Sequence, residues 1–254
     1  MRPASPLTIV TGSSRGLGAA LVSQCLQHGH TVIGIARHAN PALDDLATDT
    51  GAVLHQWRHD LSQPESAAWP LLEWLQAQPH DRYTAVTLIN NAGRMAPLVP
   101  LAAQTPEDTA QALRVGLEAP MVLTGLFLRG TQNWAGPRNV LNISSGLGQR
   151  AMAASAAYCA AKAGLDHFSR CVALEEANRP NGARIVSLAP GVIDTDMQVQ
   201  LREADPATFP DQASFVRLHA QGHLLEADDV ARCVLAWLNR PDFGHNVVAD
   251  VRKP

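Results

Sequence analysis

Leu7-Thr8-Ile9-Val10-Thr11-Gly12-Ser13-Ser14-Arg15-Gly16-Leu17-Gly18 is the stretch on which the architecture of this chain turns. A short run rich in apolar and β-branched residues breaks into a glycine-rich turn, and the turn feeds a helical pattern. Three glycines alone fit any tight strand-to-helix turn. Directly behind the first strand they suit a dinucleotide cradle, because backbone N–H groups approach a pyrophosphate there and the first helical turn adds unpaired donors and a positive dipole end. Gly12, Ser14, Arg15, Gly16, Leu17 and Gly18 are therefore candidate cofactor contacts.

Outward from this turn, β-branched runs alternate with helical patterns along the whole chain, as βαβ units do. Strands are expected at Leu7–Val10, Thr31–Ala36, Ala52–Trp57, Ala85–Ile89, Asn139–Ile143, Arg184–Leu188 and Val247–Asp250. Gly29 closes the first helix. Thr105, Pro106 and Asp108 begin another that runs through Leu128, and a long helix covers Ala156 to Ala177. The expectation is a single α/β domain over residues 1–254, a Rossmann-type doubly wound parallel sheet of seven strands, with ligands beyond the strands' carboxyl ends.

The 20 Lys and Arg against 23 Asp and Glu are scattered, so the footprint of a nucleic-acid binder is missing. The longest apolar stretch, Ala119 to Leu128, falls short of the roughly 20 residues a bilayer span needs. Leu7–Val10 is shorter than the ~7–15 apolar residues of a secretory leader. A cytoplasmic protein without membrane or nucleic-acid partners is expected. Cys25, Cys159, Cys171 and Cys233 lie far apart, three of them in helical patterns, and read as reduced core thiols. Neither His219 with His223 nor His55 with His59 makes a metal pattern, and no metal site is expected. Asp194 and Asp196 read as helix caps.

The strand ends carry the chemistry. After the second strand stands Arg37, where selectivity for NAD would call for an acidic residue; with Arg15 it suits the 2′-phosphate of NADP(H). The fourth strand ends in Asn90-Asn91-Ala92-Gly93 and the fifth in Asn142-Ile143-Ser144-Ser145. Tyr158 and Lys162 follow, four residues apart in the long helix, so a phenol and an ammonium share one helical face. A free phenol, with a pKa of about 10, is a poor acid–base group near neutrality; a neighbouring cation is expected to lower it. Ser145 would hydrogen-bond a substrate oxygen on which charge develops.

These motifs, with Pro190-Gly191-x-x-x-Thr195, resemble the short-chain dehydrogenase/reductases from about Leu7 to Val251. Tyr158-Cys159-Ala160-Ala161-Lys162-Ala163 and Ala189 to Gln198 are more narrowly similar to sepiapterin and benzil reductases. The resemblance implies that Asp60 and Leu61 flank an adenine, that Asn90 and Ala92 line its ribose, and that Val192 and Thr195 meet the nicotinamide amide. Tyr158 and Lys162 would also contact the cofactor, Lys162 through the nicotinamide ribose. In the family's reaction hydride passes to a carbonyl carbon while the residue matching Tyr158 protonates the oxygen. Gly116 stands where such families place an asparagine that helps hold a relay water, and Val248 where sepiapterin reductases place a pterin-binding carboxylate, Asp250 following two residues later.

A segment at about 197–222, with Leu201, Phe209, Phe215 and Leu218, is expected to form a lid. The resulting expectation is an NADPH-dependent reductase of ketones, diketones or aldehydes with a bulky or aromatic side, working as a homodimer or homotetramer. The alternatives are a cofactor-binding regulatory protein without turnover and a pterin reductase.

Overall fold

The computed structural model describes residues 4–253. Strands β1 (Leu7–Thr11), β2 (Thr31–Ala36), β3 (Val53–Arg58), β4 (Val86–Asn90), β5 (Arg138–Ile143), β6 (Arg184–Ala189) and β7 (Val248–Asp250) form one seven-stranded sheet. Their order is β3-β2-β1-β4-β5-β6-β7, with all neighbours parallel. Each expected strand is present to within one residue at either end. The winding reverses between β1 and β4, which pair through Leu7 with Val86 and Val10 with Ile89.

The helices are α1 (Gly16–Gln27), α2 (Pro41–Thr50), α3 (Glu65–Gln76), α4 (Pro106–Leu113), α5 (Ala119–Thr131), α6 (Ala156–Ala177), α7 (Asp196–Glu203), α8 (Gln212–Ala220) and α9 (Ala227–Leu238). Local chemistry sets several of their ends. Asn40 accepts from the Ala42 N–H ahead of Pro41, and Gly51 leaves α2 with a left-handed φ of 66°. Thr105 accepts from the Asp108 N–H and donates to the Asp108 carboxylate, closing the start of α4.

Strand alternation divides the core. Ile9, Ile33 and Leu88 face Leu71 and Leu75 of α3 and Phe127 of α5; Val10, Val32 and Ile89 face Leu21 of α1 and Val234 of α9. At the end of the sheet away from the strands' carboxyl ends, Glu176 of α6 accepts from Arg138 Nη2 of β5 at 3.1 Å and from the Ala183 N–H at 2.9 Å, both charges being buried.

Two readings need correction. The expected single helix through Leu128 is α4 and α5 joined by a π-helical turn at Arg114–Glu118, and α5 continues to Thr131. All four cysteines lie in helices, but Cys171 and Cys233 are exposed and only Cys25 is buried, so apolar sequence neighbours did not report burial.

Candidate active site

A cleft of about 1190 Å³ opens over the carboxyl ends of the strands. Gly12 and Gly18 shape its floor. Gly12 has a φ of 66°, and a Cβ there would lie 3.0 Å from Ala92 Cα; a Cβ on Gly18 would strike the Gly12 carbonyl. The Asn91 and Ala92 N–H groups donate to Thr11 Oγ1 at 2.9 and 3.0 Å, and Asn91 Nδ2 donates to the Thr11 carbonyl at 3.0 Å. These bonds tie β1 to β4 where the winding reverses. Arg15, the residue preceding α1, makes no side-chain cap, so the first N–H groups of that helix remain free beside Gly16.

Ser14, Leu17 and Arg37 also line the cleft, with Asp60, Leu61 and Ala92, as do Val192 and Thr195 beyond β6. The Ser62 N–H holds the Asp60 carboxyl below its ordinary range, helped by Arg37 and Arg94.

Three expectations change here. Asn90 does not face the cleft. Its side chain is buried and donates to Thr124 Oγ1 at 3.1 Å and Asn142 Oδ1 at 2.8 Å, because strand alternation turns it under α5 while Asn91, just past the strand end, takes the cleft side. Arg15 lies in the cleft wall, yet its guanidinium is ion-paired with Asp196 at the start of α7. That pairing, and the one between Asp194 and Arg202, leaves neither aspartate a side-chain cap; Thr195 precedes the helix instead.

At the other end of the cleft lie Ser145, Tyr158 and Lys162. Ser145 follows β5 in extended conformation, and its Oγ accepts from the Leu147 N–H at 3.2 Å. Tyr158 and Lys162 sit in the first two turns of α6 at 8% and 4% exposure. Lys162 Nζ donates to the Ile143 carbonyl at 2.7 Å and lies 5.7 Å from the centre of the Tyr158 ring. Burial pushes the phenol up to about 12 against the pull of Ser145, and brings the Lys162 ammonium down to about 8 against the charge of Asp166. In the free protein burial thus outweighs what the lysine does for the phenol: both groups are desolvated, and the ammonium is spent partly on a backbone carbonyl.

Gly116, central in the π-turn, is buried against α6, and a Cβ there would lie 3.1 Å from Ala161 Cβ. The π-turn loosens the helix at this glycine. It also brings the backbone close to the neighbour of Lys162, a packing reason for glycine that single-helix reasoning missed.

In the expected lid, α7 and α8 present Met197, Leu201 and Phe215 to the cleft. Phe209, in contrast, is fully buried behind them, stacked on Phe215 at 5.7 Å.

The family model of the short chain dehydrogenases matches residues 6–206. This chain belongs to the short-chain dehydrogenase family. It is 36% identical to a benzil reductase ((S)-benzoin forming) of Bacillus cereus, over 92% of this chain and 94% of that protein. It is 32% identical to the benzil reductase of Bacillus subtilis (strain 168), over 92% and 93%. Among solved structures, the KRED1-Pglu enzyme superposes with a TM-score of 0.79 at 27% identity, covering 95% of this chain and 99% of that one. As a member of the family the protein is an oxidoreductase acting on carbonyl or hydroxyl groups with a nicotinamide cofactor. Among the described residues no helix is long and apolar enough to cross a membrane.

Sequence reasoning passed over Asn91, which stands beside the chosen Asn90, and Asp166. The latter was signalled by spacing: Tyr158, Lys162 and Asp166 recur every fourth residue on one face of α6.

Proposed function

We propose that this short-chain dehydrogenase is an NADPH-dependent carbonyl reductase of diketones, ketones and aldehydes with a bulky or aromatic side. The observation that carries the reading is the burial of Tyr158 and Lys162 side by side, next to Ser145, in the same cleft that holds the glycine turn and Arg37.

The residues present fit a nicotinamide dinucleotide. The glycines let the turn's backbone pack directly against Ala92 and against itself, the free N–H groups of α1 face a pyrophosphate, and Arg37, with no ion-pair partner among the described residues, suits a 2′-phosphate. When bound, the reduced cofactor supplies the hydride.

The protein's part is placement and proton transfer. Ser145 Oγ accepts from the Leu147 N–H, which leaves its own hydrogen for a substrate carbonyl oxygen. Tyr158, protonated throughout the physiological range, gives its proton to that oxygen as charge builds on it. Lys162 stabilises the phenolate left behind. Tyr158 is reprotonated from solvent after turnover.

Met197, Leu201 and Phe215 form an apolar wall for the substrate, consistent with the two benzil reductase relatives. Both oxygens of Asp250 are bound by Arg252, so the carboxylate that would anchor a pterin is already occupied. We further infer a homodimer or homotetramer in the cytoplasm.

The test follows NADPH and NADH oxidation side by side with benzil, smaller diketones, simple ketones and a pterin. Turnover of aromatic diketones with NADPH is expected. A protein that binds NADPH and oxidises it with no carbonyl compound would instead be the non-catalytic binding protein.

A further inference from the structure

One turn beyond Lys162, α6 carries a carboxylate into the interior. Asp166 is 3% exposed, and its Oδ1 accepts from Ser144 Oγ of the segment after β5 at 2.6 Å and from Ser187 Oγ of β6 at 2.7 Å. Gly148 closes over the other oxygen so tightly that a Cβ there would stand 2.7 Å from Oδ2 and 3.1 Å from the Lys162 carbonyl. A buried carboxylate that served packing alone would be a poor choice, since desolvating it costs several kcal/mol unless charge and hydrogen bonds offset the loss.

The groups around Lys162 single this carboxylate out. β5 contributes the Ile143 carbonyl and the segment after it Ser144, the segment after β4 brings Gly93 followed by exposed Arg94, and the π-turn places Arg114 and Glu118 in solvent. On α6 itself stand Tyr158 and Asp166. Of the charged groups, Asp166 is the one that acts on the ammonium, opposing the effect of burial.

We propose that Asp166 is a positioning residue for the reacting pair: it anchors Ser144, and with it the turn bearing Ser145, and its charge keeps the Lys162 ammonium in place beside Tyr158. The inference rests on the reading of Tyr158 and Lys162 as that pair. It also supplies what a protein with Gly116 in the asparagine's place needs, a second buried group holding the lysine's state.

The experiment exploits a feature of the sequence, which has two lysines, Lys162 and Lys253. In protein labelled with ¹³C,¹⁵N-lysine, the side-chain signals of both are followed against pH in wild type, Asp166→Asn and Asp166→Ala. Asp166→Asn keeps an oxygen to accept both serine hydroxyls and removes the charge, an amide NH2 taking the place of Oδ2. Its Lys162 midpoint is expected to fall by about one pH unit, and the ratio of kcat at about pH 8.5 to kcat at about pH 6.5 to fall roughly fivefold. Asp166→Ala should lose thermal stability as well. An unchanged Lys162 midpoint and pH profile in Asp166→Asn, with a stability loss in Asp166→Ala alone, would reduce Asp166 to a structural residue and overturn the proposal. If Asp166→Asn does not fold, Ser187→Ala, which frees the carboxylate from one donor, is expected to raise the midpoint; no change refutes the proposal. The resonance measurement needs no turnover, so an inactive wild type would defeat the reductase reading while still testing Asp166.

Discussion

Replacing Arg37 by Asp puts a carboxylate at the carboxyl end of β2, beside the position expected for the adenosine ribose. One charge-assisted hydrogen bond to a 2′-phosphate contributes about 1.5–3 kcal/mol. At about 1.4 kcal/mol per factor of ten, that is roughly 10- to 150-fold in preference for NADPH over NADH. Arg15 adds less, because it is paired with Asp196. Their side chains are 71% and 69% exposed. Such a pair is worth about 0–1 kcal/mol, so giving it up reduces what Arg15 offers the phosphate by at most about fivefold. Arg37→Asp should therefore erase most of the preference, whereas Asp196→Ala should raise it by up to about fivefold. The measurement is kcat/KM for both cofactors at fixed ionic strength, with binding constants for each nucleotide alongside. Equal use of NADPH and NADH by the parent protein would refute the reasoning at its root. An Arg37→Asp variant that kept its preference would show that the phosphate is held elsewhere.

Tyr158→Phe is expected to bind NADPH normally and to lose at least about a hundredfold in kcat, and retention of more than about a tenth of the rate would remove Tyr158 from its role. Because the folded phenol sits near 12 rather than 10, it contributes stability that is present below about pH 10 and lost as pH rises through about 12; across that window the unfolding free energy of wild type should fall relative to that of Tyr158→Phe, which has no such titration, and parallel curves would contradict the shift. Glu176→Ala leaves Arg138 charged and buried, at a cost of about 3–5 kcal/mol; at roughly 2–4 °C per kcal/mol the Tm should fall by about 6–20 °C, and a fall under about 3 °C would contradict it. Gly116→Ala would gain about 1 kcal/mol as an ordinary helix substitution. With Ala161 Cβ at 3.1 Å that gain is expected to vanish and kcat to drop; a higher Tm with full activity would refute the close-packing account.

The strands were legible because each is a short β-branched run bounded by turn residues, and a central parallel strand buried on both faces leaves no other way to read such a run. Tyr158 and Lys162 were legible for a similar reason: four residues on a helix is a fixed geometry, independent of what packs around it. The glycine turn announced itself by position, since backbone must approach backbone there, as Gly12 and Ala92 do.

What sequence could not decide depends on which groups meet across the fold. Asn90 and Asn91 are adjacent and identical, and only the pleat of β4 under α5 sends one into a buried network and the other to the cleft. Arg15 and Asp196 are 181 positions apart, so their pairing exists only once α7 is folded over the glycine turn. The sign of the Tyr158 shift likewise follows from burial, which local spacing does not contain. The residue types and their spacing along helix and strand thus determined the sheet and the candidate chemistry. Tertiary packing decided the protonation, the pairing of Arg15 and the carboxylate behind Lys162, because dielectric and charge proximity are properties of contacts between distant segments.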